Sequence, residues 1–142
     1  MGRNEEAVQL YERAASVASS PKEKWLALAR RHRFAGDWQK AKQAYLQVLT
    51  LEPQNEDALS GVGLAFQGLG QDAAAIEWYE QAVSQQPQND WLWGRLVDAY
   101  FASGNEISAT DAVCRWLRVR PDSQQVPAYL GKLGKDSSTC KP

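Results

Sequence analysis

The sequence is poor in the residue types that build reactive and metal centres. It has one histidine and two cysteines in 142 residues. One histidine leaves no Cys/His zinc cluster to assemble, and two cysteines cannot make a disulfide framework. Nothing visible activates Cys114 as a nucleophile, and it is expected to pack or to be partly exposed. No Ser/His/Asp set, phosphate loop or paired carboxylates can be assembled, so the reading is of a protein that is not an enzyme and holds no metal or cofactor. No apolar run approaches the ~18 residues a membrane-spanning helix needs. Neither sign of charge dominates: the net charge is −1, which gives no electrostatic case for nucleic acid or an anionic membrane surface. The opening MGRNEEAVQL lacks an apolar signal core, and Glu6 stands where a myristoylation signal needs Ser or Thr. The default is a soluble cytoplasmic chain, unless it is an excised domain of a larger or exported protein. Length suits one domain, and a hydrophobic content of 44% is ordinary for a globular one.

What the chain does have is a repeat. WLALARRHRFAGDWQKAKQAYLQVLTLEP, residues 25–53, reads as two amphipathic helices joined by a tight turn at Ala35-Gly36-Asp37. The pattern returns twice at a spacing of 34 residues. Gly36, Gly70 and Gly104 mark the turn. Ala41, Ala75 and Ala109 keep one small position, and Pro53, Pro87 and Pro121 close each unit. Three such triplets in one register are very improbable at ordinary usage of about 5–8% for each residue type.

The units resemble tetratricopeptide (TPR) repeats, over about residues 4 to 123. The first full unit carries Trp25, Leu28-Ala29, His32, Gly36, Ala41, Tyr45, Val48 and Pro53. The second, the nearest to the family pattern, carries Leu59, Val62-Gly63, Phe66, Gly70, Ala75, Tyr79, Ala82 and Pro87. The third carries Trp93, Leu96-Val97, Tyr100, Gly104, Ala109, Val113, Trp116 and Pro121. His32, Val97, Val113 and Trp116 depart from the pattern. The resemblance implies an all-α fold, a right-handed superhelical solenoid of antiparallel helix pairs. The first helix of each pair would line the concave side.

Local signals set the expected elements. A leading helix over 4–19 has Glu5 and Glu6 in its first turn, where the dipole favours acids. Ala7, Tyr11 and Ala14 fall 34 residues before Ala41, Tyr45 and Val48, so this helix reads as the second half of a repeat. It is either a natural cap or the start of a longer array. Ser20-Pro21-Lys22-Glu23 is a helix start with a capping box. Arg30, Arg31 and Arg33 sit at that helix's C-terminal end, where cations meet the negative end of the dipole. Asp37, Asn55, Asn89 and Ser123 are expected caps. The expected organisation is one solenoid over 1–134, with full repeats at 22–55, 56–89 and 90–123, a C-terminal capping helix at 124–134, and a disordered tail at 135–142. Trp25, Leu28, Ala29 and His32 form one helical stripe, so Trp25, Trp93 and Trp116 are read as core. On that reading Trp25→Ala costs roughly 3–5 kcal/mol. Trp38 and Trp78 are read as packing between helices, and His32 as a packed histidine.

A second stripe, roughly 130° from the first at 100° per residue, offers a binding surface. It runs through Leu26, Arg30 and Arg33, then Asp57, Ser60, Leu64 and Gln67, then Trp91, Asp98 and Phe101, with Arg95 beside it. Leu26, Leu64, Trp91 and Phe101 supply apolar contact, and the arginines can pair with carboxylates. Trp91 serves either as an anchor or in packing on the preceding repeat. The Lys and Asn set with which some TPR proteins clamp an acidic chaperone C-terminus is missing at the matching places. Asp57 and Asp98 would repel a carboxylate there. The function expected is protein–protein interaction, by binding a short peptide segment of a partner in the concave groove as adaptor or assembly scaffold. The alternative is a self-associating scaffold forming homo-oligomers through open ends or groove. No nucleic acid or membrane insertion is expected.

Overall fold

The computed structural model describes residues 2–142. It contains α1 (Gly2–Val17), α2 (Pro21–Ala35), α3 (Trp38–Leu51), α4 (Glu56–Gly68), α5 (Asp72–Gln85), α6 (Asp90–Ala102), α7 (Glu106–Val119) and α8 (Val126–Lys132), then a 3-10 turn, Ser137–Cys140. There is no strand among the described residues. The chain divides into two compact units, residues 1–75 and 76–142, with the boundary inside α5.

The turns follow from glycine chemistry. Gly36, Gly70 and Gly104 have φ of 79°, 72° and 75°, left-handed backbone that a Cβ disfavours. Each closes its helix with the same two bonds. The Gly36 N–H donates to the Arg33 carbonyl and the Asp37 N–H to that of His32; the pairs at Gly70 and Gly104 match. Gly134 ends α8 in the same way, a fourth use of the device at a different spacing. At the starts, the Asn55, Asn89 and Asn105 side chains accept backbone N–H bonds as caps. Ser20 caps α2, but the Glu23 carboxylate reaches past it to the N–H and hydroxyl of Ser19. Asp37 makes no cap bond; its carboxylate lies 3.6 Å from His32 Nδ1. Ser123 is no helix cap either. Gln125 takes that position, while the buried Ser123 donates its hydroxyl to Asp90.

In the first unit α1 packs on α2, α2 on α3, and α3 on α4. Ala29, Ala41, Tyr45 and Val48 are fully buried. The Tyr45 ring fills the space a side chain on Gly61 would need, and Trp38 does the same at Gly68. Trp25 departs from expectation. It is 37% exposed, whereas Leu59 and Trp93, at the same repeat position, are each 4% exposed. The gap beside it is a cleft of about 470 Å³ bounded by Leu28, His32 and Ala44. In the second unit α6 packs on α7, and α7 carries α8 and the 3-10 turn. Leu92, Leu96 and Trp116 form its buried centre.

The tail differs most from expectation. Cys114 and Cys140 form a disulfide, and the 3-10 turn before it is capped by Asp136. Residues 135–142, expected to lack structure, are folded back onto α7 by a covalent bond that their composition does not announce.

Candidate binding face

The first unit holds Leu26, Arg30, Arg33, Asp57, Ser60, Leu64 and Gln67. Arg30 and Asp57 form an ion pair across α2 and α4. The Arg30 guanidinium also lies 5.8 Å from the Tyr11 ring centroid. Arg31 reaches Glu12 at 3.5 Å, and Arg33 lies 5.0 Å from the Phe34 ring. Arg30 and Arg31 thus tie α2 to its neighbours α1 and α4, while Arg33 lies against a ring of its own helix. Ser60 is 1% exposed and cannot touch a ligand, a correction to its place on the stripe. Its helix turns it inward beside Gly61, itself sealed by Tyr45. Leu26, Arg33, Leu64 and Gln67 are half-buried and reachable.

The second unit gathers Trp91, Arg95, Asp98 and Phe101 on α6. Asn89 sets the first of these, since its side chain accepts from the N–H groups of Trp91 and Leu92. Asp90 then pins the start of α6. It accepts from Trp116 Nε1 at 2.8 Å and from the Ser123 hydroxyl at 3.0 Å. Farther on, Glu80 takes two bonds from the Arg115 guanidinium and one from the Tyr100 hydroxyl. Burial raises the Glu80 carboxyl's affinity for its proton, but the Arg115 and Tyr100 bonds outweigh it and hold the pKa below its ordinary value. The Tyr100 phenol is pushed up to about 12, by burial first and then by Glu80.

With α6 fixed, Trp91 is 37% and Phe101 39% exposed. The Arg95 guanidinium sits 5.4 Å from the Trp91 ring centroid, and among the described residues no carboxylate forms an ion pair with it. Cation–π stacking fixes a planar fork without using up its donors. Asp98, expected to repel a carboxylate, is neutralised instead. Lys132 Nζ reaches it at 2.7 Å, and the Tyr129 hydroxyl donates to it at 3.2 Å. Both partners come from α8. Tyr129 also covers Gly94, where an added Cβ would meet its oxygen at 2.7 Å. Lys132 stands 5.3 Å from the Phe101 ring. Tyr129 and Lys132 were absent from the expected site, yet the register contains them: they lie 34 residues after Arg95 and Asp98.

The structure therefore brings Trp91, Arg95, Asp98 and Phe101 onto one face. Among the described residues no group of three or more His, Cys, Asp or Glu is placed to hold a metal ion. No described helix is long and apolar enough to cross a membrane.

Paired helices closed by a left-handed glycine, repeated in register, define a helical-repeat protein. Residues 26–90 match the tetratricopeptide repeat family. That segment carries tetratricopeptide repeats, and the fold of the chain recurs in solved structures. The Sgt2 TPR domain from Aspergillus fumigatus superposes with a TM-score of 0.65 at 23% identity, over 80% of this chain and 76% of that one. The first TPR of Spaghetti (RPAP3), bound to the HSP90 peptide SRMEEVD, gives 0.62 at 21%, over 86% and 94%. PcrH, in complex with the chaperone binding region of PopB, gives 0.65 at 16%, over 83% and 95%. At these identities the likeness is one of fold.

Proposed function

We propose that this chain is a non-catalytic protein–protein interaction module. It binds a short peptide segment of a partner, as adaptor or assembly scaffold, with the α6 face as its principal contact. The observation that carries this is the Trp91–Arg95 stack, half-exposed and, among the described residues, without a carboxylate partner. An aromatic anchor beside a pre-oriented guanidinium is suited to an apolar side chain flanked by a carboxylate. Phe101 extends the apolar strip, and the Lys132 contact keeps Asp98 from opposing an acidic ligand. Leu26, Arg33, Leu64 and Gln67 are proposed as a separate contact surface of the first unit. Support by analogy comes from the RPAP3 repeat, which holds an acidic peptide on the same fold.

The test is a fluorescence titration with a panel of short peptides pairing an aromatic or aliphatic residue with Asp or Glu. Trp91→Ala should weaken the best ligand by roughly 30-fold, the scale of an interface hot spot. Arg95→Gln should weaken acidic peptides and leave their amide counterparts unchanged. Equal affinities for wild type and both variants would remove the face from consideration.

Self-association is the second reading, favoured by Leu10, Val17 and Ile107, which are 56%, 80% and 86% exposed. Light-scattering mass across a concentration series separates the two. A constant monomer supports the adaptor reading, and assembly lost in an Ile107→Ser or Val17→Ser variant supports the scaffold.

A further inference from the structure

α8 has seven residues, too few for a helix to persist on its own. Its N-cap, Gln125, makes no side-chain bond. Three things hold it: burial of Val126 and Leu130, the contact of Tyr129 with Trp116 at 5.3 Å between centroids, and the two bonds to Asp98. Around these runs the Cys114–Cys140 disulfide, which closes a loop of 26 residues containing all of α8. These are the chain's only cysteines. Both are half-buried, and Ser137, Ser138 and Thr139 beside Cys140 are exposed, so a dithiol can approach. In mesophiles, disulfides persist in oxidising compartments, and cytosolic ones are mostly transient and redox-sensing.

The disulfide bears on charge at the α6 face. While α8 is held, Lys132 cancels Asp98 and Arg95 remains the unbalanced cation. With α8 released, Asp98 stands one helical turn from Arg95 on the same face and competes for it.

We propose that Cys114–Cys140 is a redox latch on the α6 face, a regulation that rests on reading that face as the peptide site. The oxidised form keeps Tyr129 and Lys132 on Asp98 and leaves Arg95 for a peptide carboxylate. Reduction frees α8 and weakens acidic ligands. The reductant is a dithiol. One of its thiolates attacks Cys140 Sγ, and the Cys114 thiolate leaves and takes a proton. The second thiol, deprotonated, then displaces Cys140, which also ends as a thiol. The dithiol becomes a cyclic disulfide, so two electrons and two protons pass to the protein.

The test compares oxidised protein, protein reduced by dithiothreitol, a Cys114→Ser/Cys140→Ser variant, and oxidised Lys132→Gln. Amide hydrogen exchange and affinity for one acidic peptide are measured on each. Reduction and the double serine variant should strip protection from residues 126–133 while α6 and α7 keep theirs. Affinity should fall about fivefold, the scale of one partly exposed charge contact. Lys132→Gln should reproduce the affinity loss with the disulfide intact. Protection of α8 that survives reduction, or equal affinity in both redox states, overturns the latch. If the oxidised protein binds no acidic peptide, this regulation falls with the site. Hydrogen exchange then tells the failures apart: α8 released by reduction faults the site reading, and α8 retained faults the latch itself.

Discussion

Trp25 and Trp93 hold the same place in their repeats and meet different surroundings. Trp93 is buried and donates its indole N–H to the Pro87 carbonyl at 2.9 Å, whereas Trp25 borders an open cleft. A repeat position fixes which way a side chain points, but not how much covers it. Trp25→Ala should therefore cost only about 1 kcal/mol, well below the penalty for a core aromatic. Trp116→Ala should cost about 3–5 kcal/mol, since it empties a fully buried site and takes from Asp90 one of its side-chain donors. Thermal melts of the two variants check the order, and equal losses would refute it. Glu80 gives a pH signature. Its folded pKa lies below its unfolded one, so its contribution is complete above the ordinary carboxylate range and disappears as pH falls through the lowered folded value. Glu80→Gln should lower the melting temperature at neutral pH, and the gap from wild type should close in strong acid. Of the eleven residues expected on the binding stripe, only Ser60 is shut away. Helical rotation set the direction of that stripe, but the close approach at Gly61, next to Ser60, depends on Tyr45, a partner on another helix.

Elements were the most legible scale. Asparagine before an apolar stripe and glycine after it located α4 and α6, because both residues do a backbone task that few others can. Asp37 shows the limit. A residue able to cap is not obliged to, and here its carboxylate faces His32 instead. Replacing Asn105 with Ala should thus destabilise the protein by about 1 kcal/mol, while Asp37→Ala should cost a few tenths. Denaturant midpoints for the pair provide the check. The C-terminal end was the least legible. Its turn and fold-back depend on one covalent link between cysteines 26 residues apart, and no local spacing rule pairs them. The cytoplasmic default drawn from the sequence also took no account of this bond, whose usual setting is an oxidising one.

At the scale of the whole molecule, the 34-residue register carried the fold class, because a repeat is read from self-similarity and needs no tertiary information. Function is less determined by that register. A helical repeat is a scaffold, and its ligand is chosen by a few side chains on one face. In the proposed reading those are Trp91, Arg95 and Phe101 on α6, with Tyr129 and Lys132 brought up beside Asp98 by α8. The most direct test of that claim is a nitrogen-15 NMR titration of the oxidised chain with the tightest acidic–aromatic peptide from the panel. The account predicts amide shifts concentrated at residues 89–101 and 126–133, abolished by Trp91→Ala. Shifts gathered around Leu10 and Val17 or around Ile107, and unaffected by Trp91→Ala, would contradict it.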